Sequence, residues 1–188
     1  MKTLSHKIKN ALRAFTLIEL LISIGIVAAL STITILILNP VEIFRQTRDA
    51  NRLASLDSLR RAITIMQTEK GFTSHIGTSS VLYVSLPDDT DIVPPLNDCS
   101  GISMALPALP LGWTYHCVTT NTLAKGNGTG WLPVDLRDAG LAVLPLDPLN
   151  TLNTSAPLQS HFYIYATDGL GHFEVDVKME STKYGLGG

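Results

Sequence analysis

The apolar run from Phe15 to Leu30, FTLIELLISIGIVAAL, constrains this chain more than any other segment. It contains one charged residue, Glu19, and it follows a leader, residues 1–14, that has four basic and no acidic residues. Extended to Leu38, the segment has 24 residues. A helix of that length, at about 1.5 Å per residue, crosses the roughly 30 Å hydrocarbon core of a bilayer. The apolar core of a signal peptide is only about 7 to 15 residues, so the segment predicts a membrane-spanning helix.

Glu19 needs an explanation beyond anchoring. A carboxylate in a membrane segment costs about 2.5 to 3.5 kcal/mol at the helix centre even on the lenient insertion scale, so such residues usually have a partner and a task. The basic leader predicts that the N-terminus stays in the cytoplasm and that everything after residue 38 is exported. Its basic residues are Lys2, Lys7, Lys9 and Arg13.

The order of basic leader, Phe, Thr-Leu-Ile-Glu-Leu and long apolar continuation resembles the cleavage and methylation segment of type IV pilins and of type II secretion pseudopilins. The resemblance implies that a prepilin peptidase cuts between Ala14 and Phe15 and that the new Phe15 amine is methylated. It also implies that Glu19, the fifth mature residue, serves in assembly. The family's usual residue before the cut is Gly. Ala14 is the smallest change from Gly, so we expect slower or unusual cleavage rather than none.

Residues 41–71 have the period of an amphipathic helix. Apolar residues recur at steps of three or four and share one face of the helix, whereas five arginines lie mostly on its other faces. The apolar residues are Leu53, Leu56, Leu59, Ile63 and Met66, and the arginines are Arg45, Arg48, Arg52, Arg60 and Arg61. The Lys70-Gly71 pair predicts the end of the helix. Pro40 lacks an amide hydrogen and predicts a kink; if the helix continues through it, residues 15–70 form one helix of about 84 Å.

After Gly71 the pattern becomes that of strands. Apolar and polar residues alternate in 172–179, and the segment 161–167 is the predicted partner across the Asp-Gly-Leu-Gly turn at 168–171. Weaker strand candidates are 81–86, 113–118 and 131–136. These segments predict a small antiparallel sheet packed on the apolar face of the stem helix.

Cys99 and Cys117 both fall on the exported side of the predicted membrane helix. An even pair in an oxidising compartment favours a disulfide, worth about 3 kcal/mol in the chain-entropy model; the alternative is two unconnected thiols. The pair resembles the disulfide-bounded loop of many pilins, although those loops usually lie nearer the C-terminus.

Charge and motifs exclude several classes of function. Residues 71–188 carry four basic and eleven acidic groups, so this domain lacks the basic footprint of a nucleic-acid-binding protein. No metalloprotease, serine hydrolase or P-loop pattern occurs, and the histidines lack metal-ligand spacing. Asp88, Asp89 and Asp91 could bind calcium, as a carboxylate loop does in some pseudopilins, but they lack an EF-hand pattern, so we interpret them as solvated loop charges. We therefore expect no enzyme activity, no cofactor and no metal site.

Together these features predict an α+β, pilin-like fold with a long N-terminal helix packed on a small antiparallel sheet. The predicted segments are the leader 1–14, the membrane and assembly half 15–38, the stem 39–70 and the β-rich extracytoplasmic domain 71–188. The resemblance implies a filament subunit that passes from the cytoplasmic membrane to the cell surface. Its partners would be other pilin subunits, prepilin peptidase, the membrane and an assembly platform. The alternatives are a pseudopilin of type II secretion or DNA uptake and a non-polymerising single-span surface protein.

Overall fold

The computed structural model describes residues 15–71, 76–90, 98–156 and 159–185. By contact density the chain divides into two units, Met1–Ile43 and Phe44–Gly188. The predicted leader, residues 1–14, lies outside the described residues.

Two helices begin the described chain. Helix α1 spans Leu17–Leu38 and helix α2 spans Pro40–Lys70. Between them Asn39 adopts a left-handed conformation, with φ of 41°. Pro40 is the first residue of α2, a position where its missing amide hydrogen costs no helical hydrogen bond. The sequence predicted a kink at Pro40; in the structure the chain ends one helix at Leu38 and starts another at Pro40, so residues 15–70 do not form one continuous helix.

Four short strands follow α2. They are β1 at Val81–Pro87, β2 at Thr114–Val118, β3 at Tyr163–Thr167 and β4 at Phe173–Val177. Their order in the sheet is β2-β1-β3-β4. The predicted hairpin is present, since β3 and β4 pair antiparallel, and β1 also pairs antiparallel with β3.

The sheet is mixed rather than wholly antiparallel, because β1 and β2 pair in parallel. Parallel neighbours need a long crossover connection, and residues 88–113 provide one. The α+β class itself is confirmed: a long N-terminal helical region accompanies a small four-stranded sheet.

One face of the sheet packs against α2 and forms the main core of the second unit. The apolar stripe of the stem supplies the helical side, and tyrosines from β1 and β3 supply the sheet side. Burying a large apolar side chain is worth about 1.5 to 3 kcal/mol, so this layer holds the helix to the sheet. The residues of this layer include Leu59, Ala62, Ile63, Met66, Tyr83, Tyr163 and Tyr165.

The opposite face of the sheet has a smaller core under the loop that joins β1 to β2. Val84 and Leu86 of β1 face this side, with Phe162 beside them. Strand β1 is therefore covered on both faces, which explains its nearly continuous apolar sequence.

The segment 131–136, WLPVDL, is buried but is not a strand, so that prediction is wrong. Pro133 has no amide hydrogen to contribute to a ladder, and the segment makes only the isolated bridge between Asp135 and Asn127. Trp131 instead fills the core, where its ring stacks on Tyr163 at a centroid distance of 6.1 Å.

Candidate functional site

The start of α1 is built as a capping box. Thr16 is the N-cap, and its hydroxyl accepts a bond of 3.3 Å from the amide of Glu19. In return the Glu19 carboxylate accepts bonds from the Thr16 amide at 3.0 Å and the Thr16 hydroxyl at 2.8 Å, both at Oε2. This reciprocal arrangement satisfies two helix-end donors that would otherwise lack partners. The sequence pattern Thr-x-x-Glu carries this signal, and our sequence interpretation missed it.

The rest of α1 presents an apolar surface on every side. Its large apolar side chains that the structure describes are all more than half exposed. Residues Leu17–Ile35 meet the length and composition of a membrane-spanning helix. A helix of 22 residues is about 33 Å long, which matches the hydrocarbon core of a bilayer. Such a surface is stable only against lipid or against other apolar helices.

Hydroxyl side chains within α1 bond to the helix's own backbone. Ser23 donates to the Glu19 carbonyl at 2.7 Å, and Ser31 donates to the Val27 carbonyl at 2.8 Å. Thr32 and Thr34 make the same bond to the carbonyl four residues before them. These hydroxyls are therefore satisfied without water, as a helix in lipid requires.

The chain matches one family model, the prokaryotic N-terminal methylation motif, over residues 9–35. The match joins the end of the predicted leader to most of α1, including Glu19. The chain carries a type IV pilin- or pseudopilin-like prepilin segment. No curated protein and no solved structure matches it. Proteins with this prepilin motif are structural subunits, not enzymes, and the α+β arrangement is the one expected of a pilin fold.

The structure places the predicted prepilin site residues as follows. Phe15 precedes the Thr16 cap and its side chain is exposed, whereas Ala14 lies outside the described residues. Glu19 is on the first turn of α1. Thr16 of the same chain supplies two hydrogen-bond donors to the Glu19 carboxylate. These bonds go to Oε2, and the pairing of Glu19 with a neighbouring subunit stays a prediction.

Cys99 and Cys117 form a disulfide, with a Cα–Cα distance of 5.0 Å. Both residues are buried in the smaller core. The bond closes the crossover connection onto β2 and packs it over the sheet. The loop therefore belongs to the packed domain.

The Asp88 and Asp89 carboxylates are hydrogen-bond acceptors for neighbouring loops. Asp88 is buried and accepts from the Gly101 amide at 2.8 Å and from Thr90, so its interpretation as a solvated charge is wrong. Burial opposes the charged form, but these bonds outweigh it and lower the pKa of Asp88. Asp89 accepts two bonds from Thr120. Asp91 lies outside the described residues.

A buried ion cluster centred on Arg52 ties α2 to two distant parts of the domain. The Arg52 side chain is 0% exposed and binds Asp147 through two bonds, of 2.6 and 2.9 Å. It also binds Asp49 at 2.7 Å and Glu180 at 2.6 Å. Glu180 is shared with Arg48, one turn earlier on α2. The sequence interpretation placed Arg52 off the apolar face but gave no sign of this burial.

Hydrogen bonds keep every member of this cluster charged. Burial disfavours the Arg52 cation, yet its bonds to Asp147, Asp49 and Glu180 raise its pKa. Burial likewise opposes the Asp49 and Asp147 anions, but backbone amides and Arg52 lower the pKa of both. The Arg48 bond lowers the pKa of Glu180. At neutral pH the cluster is therefore an ionic cross-link between α2, the loop that contains Asp147 and the C-terminal segment that contains Glu180.

The described residues contain no group of three or more His, Cys, Asp or Glu side chains that could hold a metal ion. His116 is partly buried beside the Tyr83 ring, with centroids 4.9 Å apart. Burial lowers the pKa of His116, which keeps the ring neutral at pH 7. It lies in the interior of β2 as a packing residue.

Proposed function

We propose that this protein is the subunit of a type IV pilus-like filament. In this proposal residues 1–14 are a leader removed by prepilin peptidase, and Phe15 becomes the methylated N-terminus. Residues 15–38 hold the precursor in the cytoplasmic membrane and later form the packed centre of a helical filament. Residues 39–70 are the stem that carries the domain at 71–188.

The observation that carries the proposal is the exposed apolar helix α1 with one carboxylate at its start. A helix that is apolar all round must be covered, and both a bilayer and a bundle of identical helices can cover it. In this proposal, polymerisation is the transfer of α1 from the bilayer into a bundle of identical helices. The prepilin motif over residues 9–35 supports the same route.

In this proposal, Glu19 sets the axial register in which neighbouring α1 helices pack. Apolar packing by Leu17, Leu20 and Ile24 supplies adhesion, but such a surface slides. After cleavage Phe15 carries a cationic amine, and two charges that are each costly in lipid are stabilised when they pair. The Thr16 bonds occupy Oε2 of Glu19, so Oε1 is the oxygen that we assign to the amine of a neighbouring subunit.

Substitution of Glu19 tests this proposal. Glu19→Gln and Glu19→Ala should leave membrane insertion intact and reduce filaments at least tenfold, because the register is lost while the apolar surface remains. Membrane fractionation measures the first effect, and electron microscopy of sheared surface material measures the second. Thr16→Ser keeps the capping hydroxyl and serves as the matched control. Abundant normal filaments from Glu19→Ala cells would contradict the proposal.

The runner-up is a pseudopilin, which would use the same segment in a short filament. A deletion strain that loses secretion or DNA uptake, in cells that never display surface filaments, would assign that role. A non-polymerising surface protein would keep its leader and yield no filaments.

A further inference from the structure

Strand β4 lies at one edge of the sheet, because the strand order β2-β1-β3-β4 gives it a single neighbour. Its register with β3 is regular from the Tyr163–Val177 pair to the Thr167–Phe173 pair. Among the described residues, no strand pairs with the side of β4 that faces away from β3. An uncovered strand edge is a template to which a further strand can be added.

The hydrogen bonds of the hairpin show which backbone groups of β4 point outward. In an antiparallel pair, hydrogen-bonded and non-hydrogen-bonded residue pairs alternate along the strands. The Asp168 amide donates to the His172 carbonyl at 3.3 Å. Glu174 and Asp176 follow at steps of two in the same register, so their backbone groups bond to β3. The residues between them have amides and carbonyls that point away from β3. These residues are Phe173, Val175 and Val177.

A groove lies between the β4 edge and helix α2. Its volume is about 560 Å³; Phe173 and Val175 line it from the strand, and Leu56, Arg60 and Thr64 line it from the helix. Phe173 and Val175 pack against the main core but are only partly buried. A strand added to β4 would therefore bury apolar surface as well as pair with the outward backbone groups.

The two faces of an added strand would meet different charges. On the groove side, Arg60 has no ion-pair partner among the described residues, whereas Asp57 pairs with Arg61. This cation disfavours basic side chains on the face that enters the groove. On the other face of β4, the Glu174 and Asp176 side chains are exposed, and neither has an ion-pair partner in the part of the chain that the structure describes.

The centre of the β4 edge is acidic, although charges of both signs lie at its ends. Lys178 follows the strand directly, and His172 before it contacts Asp168 at 2.6 Å. Pairing β4 with β4 of a second copy would set these carboxylates against each other, and like charges directly opposite are destabilising. Basic side chains at every second position of an added strand would instead pair with Glu174 and Asp176.

We propose that the β4 edge binds an extended segment of a partner protein in which lysine or arginine alternates with apolar residues. The segment adds a fifth strand to the sheet through the outward amides and carbonyls of β4. Its basic face contacts Glu174 and Asp176, and its apolar face covers Phe173 and Val175 in the groove. This binding goes beyond the proposed function and does not depend on whether the chain forms filaments.

A capped peptide in which valine and lysine alternate over about seven residues, the length of an ordinary strand, tests the proposal. Fluorescence anisotropy measures its binding to the full chain in an uncharged detergent at about 50 mM NaCl, where charge pairs are weakly screened. The valine–lysine peptide should bind, and a peptide that alternates valine with glutamate should not. Failure of the valine–lysine peptide to bind, or equal binding of both peptides, would overturn the proposal.

Reversal of the edge charges tests the recognition by Glu174 and Asp176. The double variant Glu174→Lys, Asp176→Lys should lower the affinity for the valine–lysine peptide about tenfold and gain binding of the valine–glutamate peptide, since the favoured charge pairs are exchanged. The matched control is Asp98→Lys, Asp138→Lys, which changes the net charge equally at exposed positions outside the sheet. Equal losses in the two variants would show that overall charge attracts the peptide, which would contradict the proposal.

A proline on the edge tests the backbone bonds. Val175→Pro removes an amide that points away from β3, so the bonds between β4 and β3 remain while peptide binding should fall about tenfold. Val175→Thr keeps the amide and the branched side chain, and it serves as the matched control. Binding that is equal in the two variants would be evidence against strand addition. If Val175→Pro instead dissociates a dimer of the full chain in analytical ultracentrifugation, the edge pairs copies of this chain and the proposal is wrong.

Methylation of the peptide backbone repeats this test when Val175→Pro does not fold, as circular dichroism would show. A valine–lysine peptide with alternate backbone amides methylated keeps every charge but cannot form the ladder of a strand. It should not bind the wild-type chain. Binding as tight as that of the unmethylated peptide would overturn the proposal.

Discussion

Replacement of Arg52 by Met removes the one cation that joins three carboxylates in the interior of the globular domain. Arg52 and the side chains of Asp49 and Asp147 are 0% exposed, and Glu180 is nearly buried. Methionine fills a similar length but leaves the anions without their shared partner. Breaking a buried pair by removing one member costs about 3 to 5 kcal/mol.

Backbone amides that bond to the same carboxylates reduce the stability lost when Arg52 is replaced. Asp49 keeps the amides of Glu180 and Ser181, and Asp147 keeps the amides of Leu149 and Asn150. We therefore expect the lower part of the range, about 3 kcal/mol, which lowers Tm by roughly 10 °C in a domain of this size.

Thermal unfolding of the full chain in a mild detergent, followed by near-ultraviolet circular dichroism, measures this effect. The matched control is Arg61→Met, because Arg61 and Asp57 form an exposed pair one turn apart on the same helix. Such pairs contribute little, so the Tm of the control should not change measurably. If Arg52→Met unfolds within about 2 °C of wild type, the buried cluster does not hold the C-terminal segment to α2 and the reasoning fails.

Two further predictions concern the same domain. Asp49, Asp147 and Glu180 have pKa values below their ordinary values near 4, so their stabilising contribution is complete above about pH 5 and is lost as the pH falls below it. Tm measured from pH 7 to pH 3 should therefore drop in the acid range, and drop less in Arg52→Met; equal slopes would contradict the assignment. Replacing Cys99 and Cys117 by Ser should cost about 3 kcal/mol and open the loop to proteolysis, and unchanged protease resistance would refute that expectation.

Sequence patterns correctly predicted the secondary-structure elements that are determined by residues close together in the chain. The Phe173 to Val177 alternation and the turn at 168–171 specify a hairpin, and the structure has it. The stem's apolar stripe and the Lys70-Gly71 end likewise depend on residues a few positions apart, and α2 ends at Lys70. Periodicity works in these cases because the face that is buried repeats within the element.

Features that depend on distant partners were not predictable from the same patterns. The alternation in β2 does not say which strand it joins or in which direction, so its parallel pairing with β1 was missed. Arg52 looks like a surface arginine because its partner Asp147 is 95 residues away in the chain. The segment 131–136 has strand-like residues, but Pro133 and tertiary packing bury it as an irregular segment.

For the N-terminal segment, the sequence alone indicated the prepilin chemistry, and the structure added the capping box. The motif over residues 9–35 was recognised from the residue order. The capping box shows that Thr16 holds the Glu19 carboxylate at the start of the helix. Glu19 is therefore already oriented in the single chain, which would lower the entropy cost of the pairing that we propose for it.

The N-terminal peptide of protein recovered from sheared filaments tests the central claim most directly. Mass spectrometry should find a peptide that begins at Phe15 and carries one methyl group on its amine, because a processed prepilin loses residues 1–14 before it polymerises. Recovery of assembled protein that still begins at Met1 or Lys2 would contradict the account.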